Sequence, residues 1–325
     1  MDWKGRKVLV TGAGGVIGSH LAEALAGRGA EVTALVRYTS RGSAGFLEES
    51  AGNFRIMAND ITEAGGVLAA MEGQEYVFHL AALIGIPFSF EHPEEAFEVN
   101  TTGTLNVLNA ARRTNPRRVV LTSTSEVYGT AQYTPIDEKH PLQAQSPYAA
   151  SKIAADKLGE SFFHSYELPV VTVRPFNTYG PRQSARAVIP SLITQMLASK
   201  NVRLGATAPT RDFNFVKDTA RGFILAAESD RAPGETMNLA TGKEISIGEL
   251  AKKIASLIGK EVTLETDEQR IRPGSSEVMR LCGSGEKAAE LIGWEPEVSL
   301  EDGLGQTINW LREFGAAVDP ARYHI

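Results

Sequence analysis

An α/β fold built on a doubly wound parallel sheet, with a smaller C-terminal lobe, is predicted by three observations. Short apolar runs alternate with longer amphipathic stretches through the first half of the 325-residue chain, the pattern of repeated strand-helix-strand units. The first run, Val8-Leu9-Val10-Thr11, passes directly into Gly12-Ala13-Gly14-Gly15-Val16-Ile17-Gly18 and then into an amphipathic stretch. Beyond Pro175 the alternation weakens, as it does where a chain leaves a layered sheet for shorter elements.

Residues 6–11 read as the first strand, and 15–28 as the helix that follows. Strands are expected at 31–37, 54–58, 76–81, 118–123 and 169–174. A long helix is expected at 94–114, and a second begins at Ser146-Pro147, where Ser is a good N-cap and Pro fits the first helical position. Later come helices at 187–199, 217–228, 247–257 and 304–314, with a short strand near Val202-Arg203-Leu204. Residues 1–175 are expected to form the sheet domain, and 176–325 mainly the smaller lobe, with the last sheet strands returning from that C-terminal half. No internal repeat or low-complexity segment interrupts this plan.

Composition narrows the function classes. With 42% hydrophobic residues the chain can bury a large core. The net charge is -6, and the cationic run Arg112-Arg113-Thr114-Asn115-Pro116-Arg117-Arg118 is too local for a nucleic-acid groove; it reads as a solvated helix end leading into a strand. One cysteine, Cys282, excludes an internal disulfide framework, and six scattered histidines show no metal-ligand spacing, so no metal is expected. No apolar run reaches the ~20 residues of a membrane span, and the N-terminus runs into a strand without a secretory core. A cytoplasmic location is expected.

Gly12-x-x-Gly15-x-x-Gly18 between a strand and a helix is suited to a dinucleotide. The first glycine permits a tight turn, the second lets backbone approach a pyrophosphate, and the third lets the helix pack close. Gly15, Val16, Ile17 and Gly18 then open a helix whose free amides face the phosphates. This makes the sheet domain a Rossmann-type nucleotide-binding fold. At the end of the second strand an NAD enzyme usually carries an acid for the ribose hydroxyls, and this chain has Leu35-Val36-Arg37-Tyr38. Arg37, with Arg41, suits a 2′-phosphate and favours NADP, while an arginine also stacks on adenine and accommodates NAD.

Tyr148 and Lys152, four apart, share a helix face, where an ammonium favours the phenolate of a tyrosine whose ordinary pKa is about 10. Tyr148 can then remove a hydroxyl proton as hydride leaves the same carbon. Strand five ends in Leu121-Thr122-Ser123-Thr124-Ser125-Glu126-Val127-Tyr128-Gly129, which delivers hydroxyls and one carboxylate to the crevice at the strand C-termini. Thr124 is the expected third member of a Thr/Tyr/Lys set. Glu126 is a base that a simple alcohol dehydrogenase or a 4-epimerase does not need; removal of a proton beside a new ketone does.

Nearly the whole chain resembles the extended short-chain dehydrogenases/reductases that act on nucleotide sugars. The resemblance lies in the glycine spacing, Thr124-Ser125-Glu126-Val127-Tyr128-Gly129, Tyr148-x-x-x-Lys152, Arg174-Pro175-Phe176-Asn177-Thr178-Tyr179-Gly180-Pro181, Arg211-Asp212-Phe213 and Gly293-Trp294-Glu295-Pro296. Within the group, Ile84-Gly85-Ile86-Pro87-Phe88-Ser89, Pro181-Arg182-Gln183-Ser184-Ala185-Arg186-Ala187-Val188-Ile189-Pro190 and Asp267-Glu268-Gln269-Arg270-Ile271-Arg272-Pro273 are most similar to 4,6-dehydratases of GDP-linked N-acetylglucosamine in legionaminic acid synthesis.

The resemblance implies a recycled NAD or NADP held by Asp60, Ile61, Leu80, Ala81, Ala82, Thr122 and Pro175 besides the glycine turn, Arg37, Tyr148 and Lys152. It implies catalysis by Thr124, Ser125, Glu126, Tyr148 and Lys152. A nucleotide-diphosphate sugar would lie against Thr124, Asn177, Val188, Arg211 and Arg272, although Arg211 beside Asp212 equally suggests an ion pair. A homodimer through helices 94–114 and 147–165 is implied too. dTDP-glucose dehydratases carry Asp where this chain has Ser125, whereas GDP-mannose dehydratases and UDP-glucuronate decarboxylases share Thr-Ser-Glu. A 4,6-dehydratase is the leading reading, with a decarboxylase or 4-epimerase as the alternative.

Overall fold

In the computed structural model, which describes residues 1–40, 42–48, 54–267 and 277–314, the first half of the chain builds most of one sheet. It runs β1 (Lys7–Thr11), α1 (Val16–Ala26), β2 (Glu31–Val36), β3 (Phe54–Ala58), α2 (Ala64–Met71), β4 (Tyr76–His79), α3 (Ile86–Glu91), α4 (Pro93–Phe97), α5 (Gly103–Thr114), β5 (Arg118–Thr122), α6 (Pro147–Tyr166) and β6 (Val170–Pro175). The second half runs β7 (Asn177–Tyr179), α7 (Val188–Ala198), β8 (Asn201–Leu204), β9 (Thr210–Phe215), α8 (Val216–Glu228), β10 (Thr236–Leu239), β11 (Glu244–Ser246), α9 (Ile247–Ile258), β12 (Thr263–Thr266), β13 (Arg280–Leu281), α10 (Glu286–Ile292) and α11 (Leu300–Phe314).

Seven strands form a wholly parallel sheet in the order β3-β2-β1-β4-β5-β6-β10. The order reverses between β1 and β4, where a doubly wound sheet opens a crevice at its strand C-termini. Alternation along the strands sorts the sheet into two cores. Val8, Val10, Val120, Val171 and Val173 face α1 and α8, packing with Leu21, Leu25 and Phe223. Leu9, Val119, Leu121 and Val170 face α2, α5 and α6, packing with Met71, Leu108 and Phe162. Burial on both faces is why these strands read as continuous apolar runs, and each such side chain contributes about 1.5–3 kcal/mol.

The second half is not a separate layer. α8 packs on α1, and β10 extends the main sheet beside β6. The remaining elements form a lobe in which α7, α9 and α11 bury Leu192, Ile193, Leu250, Ile254, Leu304 and Ile308 over β9 and β8.

Two expectations change in detail. The helix expected at 94–114 is interrupted: between α4 and α5, Glu98–Thr102 forms a π-helical turn. The wider turn swings Asn100 inward, where it is fully buried. Its Oδ1 accepts from the Leu83 N–H at 2.7 Å, and its Nδ2 donates to the Leu83 carbonyl at 3.0 Å and to Ser151 Oγ at 2.9 Å. The arginine run is also not merely a solvated end. Arg118 is buried and donates to the Ala227 carbonyl, because β5 starts under α8.

One buried relay joins the middle of the sheet to these helices. Thr11 Oγ1 accepts from the amides of Leu80 and Ala81 at 3.2 and 3.1 Å and lies 2.8 Å from His79 Nδ1. Thr104, 3.1 Å from His79 Nε2, gives its only hydroxyl proton to the Asn100 carbonyl at 2.6 Å. His79 Nε2–H must therefore donate to Thr104, and Nδ1 accepts from Thr11. Burial, with the nearby Lys152 charge adding to it, pushes His79 down to about 3. His79 thus folds neutral and must unfold to be protonated. Its contribution is complete above about pH 6.5 and is lost as pH falls toward about 3, on the order of 5 kcal/mol. Urea denaturation across that range should show this loss, and His79→Gln should flatten it.

Candidate active site

The dinucleotide turn is tight because backbone meets backbone. Gly12 sits at φ +69°, and a Cβ there would lie 2.7 Å from the Ala81 nitrogen. A Cβ on Gly18 would lie 2.2 Å from the Gly12 carbonyl oxygen, so only glycine lets α1 start this close to β1. α1 opens at Gly15 with no side-chain cap, so its first amides are presented beyond the helix end. Leu80 and Ala81 pass against Gly12, and Ala82 follows them. Arg37 is exposed just past β2. Asp60 Oδ1 accepts from Thr62 N and Oγ1 at 3.0 and 2.9 Å, so it organises the turn after β3. The Ile61 side chain is buried against Gly103. Arg41 lies outside the described residues.

The reactive groups converge at the C-terminal ends of β5 and β6. Thr124 caps a 3₁₀ turn, Ser125–Tyr128, by accepting from the Glu126 N–H at 3.2 Å. The same Thr124 side chain hydrogen-bonds Tyr148, and Glu126 is near enough for its charge to act on that phenol. Ser125 is buried and Glu126 half-buried. α6 is fixed at its start by Ser146 Oγ, which accepts from Ala149 N at 3.0 Å, and by Ser89 Oγ, which accepts from Tyr148 N at 3.2 Å. Lys152 Nζ donates to the Thr122 carbonyl at 2.5 Å. The Thr122 hydroxyl is buried without a protein partner. Pro175 ends β6 and is buried.

Burial sets the resting state of the pair. In the protein alone, burial holds the Tyr148 phenol above its ordinary value, with Glu126 and Asp156 adding to the rise and only the Thr124 hydrogen bond opposing it. Lys152, expected to ease ionisation of Tyr148, is itself pushed down to about 8 by burial, against the pull of Asp156. Desolvation penalises the charged form of each.

The groups assigned to a diphosphate are partly together. Asn177 on β7 lies beside β9 and donates to the Asp212 carbonyl at 3.2 Å, and Val188 starts α7. Arg211 pairs with Glu277 at 3.0 Å and donates to the Thr210 carbonyl, so the Arg211–Asp212 pair is not formed. Neighbours on a strand face opposite ways; Asp212 accepts instead from Thr241 N and Oγ1, Gly242 N and Gly283 N. Arg272 lies outside the described residues.

Several site-building roles went unread in the sequence: those of His79, Asn100, Asp156 and Asn238, and those of Ser89, Ser123, Tyr128 and Arg174, which stood in motifs without a part assigned. Asp156 pairs with Arg174 at 2.9 Å; Arg174 donates to Tyr128 Oη at 2.9 Å, and Tyr128 to Asn238 Oδ1 at 2.8 Å. The available signal was Asp156 at the next i+4 position after Lys152.

A nicotinamide dinucleotide fits these residues, since the glycine turn leaves backbone bare, α1 offers uncapped amides, and the Thr122 hydroxyl lacks a partner beside Lys152. Among the described residues no group of three or more His, Cys, Asp or Glu is arranged to hold a metal ion, and no helix is long and apolar enough to cross a membrane.

Comparison with known proteins agrees with this geometry. The family model described as GDP-mannose 4,6 dehydratase matches residues 9–307. The chain is 34% identical to a UDP-glucose 4-epimerase of Mycolicibacterium smegmatis, over 94% of this chain and 98% of the relative. It is also 34% identical to a UDP-N-acetyl-alpha-D-glucosaminuronate decarboxylase of Bacillus cytotoxicus, over 95% and 98%. A dTDP-glucose 4,6-dehydratase from Streptomyces venezuelae, solved with NAD bound, superposes with a TM-score of 0.86 at 30% identity, covering 97% of this chain and 99% of that one. Alike in sequence and fold along nearly its whole length, the chain belongs to the extended short-chain dehydrogenase/reductase family of NAD-dependent nucleotide-sugar dehydratases, epimerases and decarboxylases, and it is an enzyme of that family.

Proposed function

We propose that this enzyme is a nucleotide-sugar 4,6-dehydratase, converting a hexose linked to a nucleoside diphosphate into its 4-keto-6-deoxy form. One observation carries the reading: a half-buried carboxylate, Glu126, within electrostatic reach of Tyr148 at the end of β5. A nicotinamide dinucleotide, NAD or NADP, supplies a reversible hydride acceptor when bound over Gly12, Gly15, Val16, Ile17 and Gly18, with Arg37 near its adenosine. Asp60, Ile61, the Leu80–Ala82 turn, Thr122 and Pro175 complete its bed.

Tyr148 takes the proton from the hydroxyl on carbon 4, while Thr124 holds that oxygen. Lys152, anchored by the Thr122 carbonyl, stabilises the phenolate as it forms. Once carbon 4 is a carbonyl, the proton on carbon 5 is acidic and Glu126 removes it. The hydroxyl on carbon 6 leaves as water and needs a proton. Ser125 is no acid, so the newly protonated Glu126 is the group that supplies it. The hydride taken from carbon 4 would then return to carbon 6, and the proton held by Tyr148 passes to carbon 5, so that the net change is the loss of one water. Asn177 and Arg211, with Arg272, hold the diphosphate, Arg211 exchanging Glu277 for phosphate oxygens, and Val188 lies near the base. The motifs around Ile84, Pro181 and Arg272 favour a GDP-linked N-acetylglucosamine substrate. Helices 94–114 and 147–165 form the homodimer contact; exposed Phe97 and Tyr166 on α4 and α6 support this.

Mass spectrometry of products from a panel of nucleotide sugars tests the reading. A loss of 18 mass units from a GDP- or UDP-linked N-acetylhexosamine is expected. Release of carbon dioxide from UDP-glucuronate without any dehydrated product would make the enzyme a decarboxylase, a reading that Ser125 leaves open because both kinds of enzyme carry Thr-Ser-Glu. Glu126→Gln should retain the dinucleotide and lose at least about a hundredfold in kcat; unchanged turnover removes Glu126 from the mechanism. Gly18→Ala should weaken dinucleotide binding at least about tenfold by fluorescence titration. Gly305→Ala is the control, because a Cβ there meets nothing within 4 Å.

A further inference from the structure

Asp156 stands on α6 one turn beyond Lys152 and two beyond Tyr148, so the three side chains form a row at i, i+4 and i+8 on one helix face, and all three are buried. Its Oδ2 accepts three hydrogen bonds, from Ser123 Oγ at 2.8 Å, Arg174 Nε at 3.0 Å and Arg174 Nη2 at 2.9 Å. Ser123 follows Thr122, whose carbonyl holds Lys152. One carboxylate is thus fastened both to β6 and to the strand end that carries the lysine's anchor. We propose that Asp156 is a positioning residue for the proton-transferring pair, a fixed anion that keeps Lys152 cationic and sets the pH range in which Tyr148 and Lys152 work. The inference rests on the reading of Tyr148 as the proton-transferring group.

The groups facing this row can be followed element by element. From β4, His79 lies near Lys152 but burial, with the Lys152 charge adding to it, holds it neutral between its two threonines. From β6, the Arg174 guanidinium is directed to Asp156 and Tyr128. From the 3₁₀ turn, Glu126 acts on Tyr148. Asp156 opposes the burial that drives Lys152 down, and it also helps hold the Tyr148 phenol up. Loss of this anion makes both groups more acidic. Both limbs of a pH profile must then move the same way, toward lower pH. A residue that only supports the fold would change the height of the profile and leave its position alone.

The test is the pH dependence of kcat/KM for wild type, Asp156→Asn and Asp156→Glu. In Asp156→Asn both limbs should shift to lower pH by at least about half a unit, and Asp156→Glu should bring them back. Because Asp156→Asn leaves Arg174 buried without its counter-charge, Asp156→Asn/Arg174→Met is measured alongside; it removes the pair together and should show the same shift. A folded variant with lowered rate and unmoved limbs overturns the proposal. An ultraviolet difference titration of the NAD-bound protein, with Tyr148→Phe as baseline, reads the phenol without any substrate, and its midpoint should fall in the Asp156 variants. If that midpoint moves while wild type dehydrates no nucleotide sugar, the proposed reaction fails and Asp156's role stands. If wild type turns over and neither limbs nor midpoint move, the role of Asp156 fails alone.

Discussion

The hydroxyl of Thr11 is the point on which the geometry of the site turns. It closes the gap between β1 and β4, where the strand order reverses, by accepting from the two amides that follow β4 and giving its proton to His79. Through His79 and Thr104 the same chain of bonds reaches the Asn100 carbonyl, and the Asn100 side chain reaches Ser151, next to Lys152. A dinucleotide turn and a catalytic helix from distant parts of the sequence are thereby held in one frame. The arrangement is buried and hydrogen-bonded throughout, and polar networks of that kind fix one geometry and tolerate little drift.

Electrostatically the site is built to resist charge. Tyr148, Lys152 and His79 are each displaced by burial in the direction that disfavours ionisation. Against this background a few fixed charges carry unusual weight. Asp156 with Arg174 below the row, and Glu126 above it, divide the work: the lower carboxylate is locked in hydrogen bonds, whereas the upper one sits half-buried at the strand end. This separates the carboxylate that tunes from the one that can act.

Much of the sheet was readable because strands buried on both faces must be continuously apolar, and the glycine turn because its spacing has a steric cause. Tyr148 and Lys152 drew notice by their helix spacing only when set beside the glycine turn, and Thr124 by the polar end of the fifth strand. Thr236–Leu239 was not, since a four-residue strand between turns carries too little pattern to separate it from loop. β9 hid for another reason: in Thr210-Arg211-Asp212-Phe213 adjacent opposite charges suggest a mutual pair, and only the strand's alternation sends one to Glu277 and the other into a nest of amides. The π turn at Asn100 leaves the helical period almost intact, so its inward swing shows only in three dimensions. Arg174 was visible as a motif, but its partner became plain only when α6 and β6 were brought together.

The position of β10 has a consequence for how the molecule is made. Its Asn238 receives the Tyr128 hydroxyl, which in turn accepts from Arg174, so the support beneath the catalytic row includes a residue synthesised long after the row itself. A nascent chain emerging at about 5–20 residues per second carries the glycine turn, Tyr148 and Lys152 for several seconds with β6 as an unpaired sheet edge. During that interval the edge is open to other strands. The enzyme's vulnerability to misassembly is therefore concentrated in synthesis, before the last parallel strand arrives.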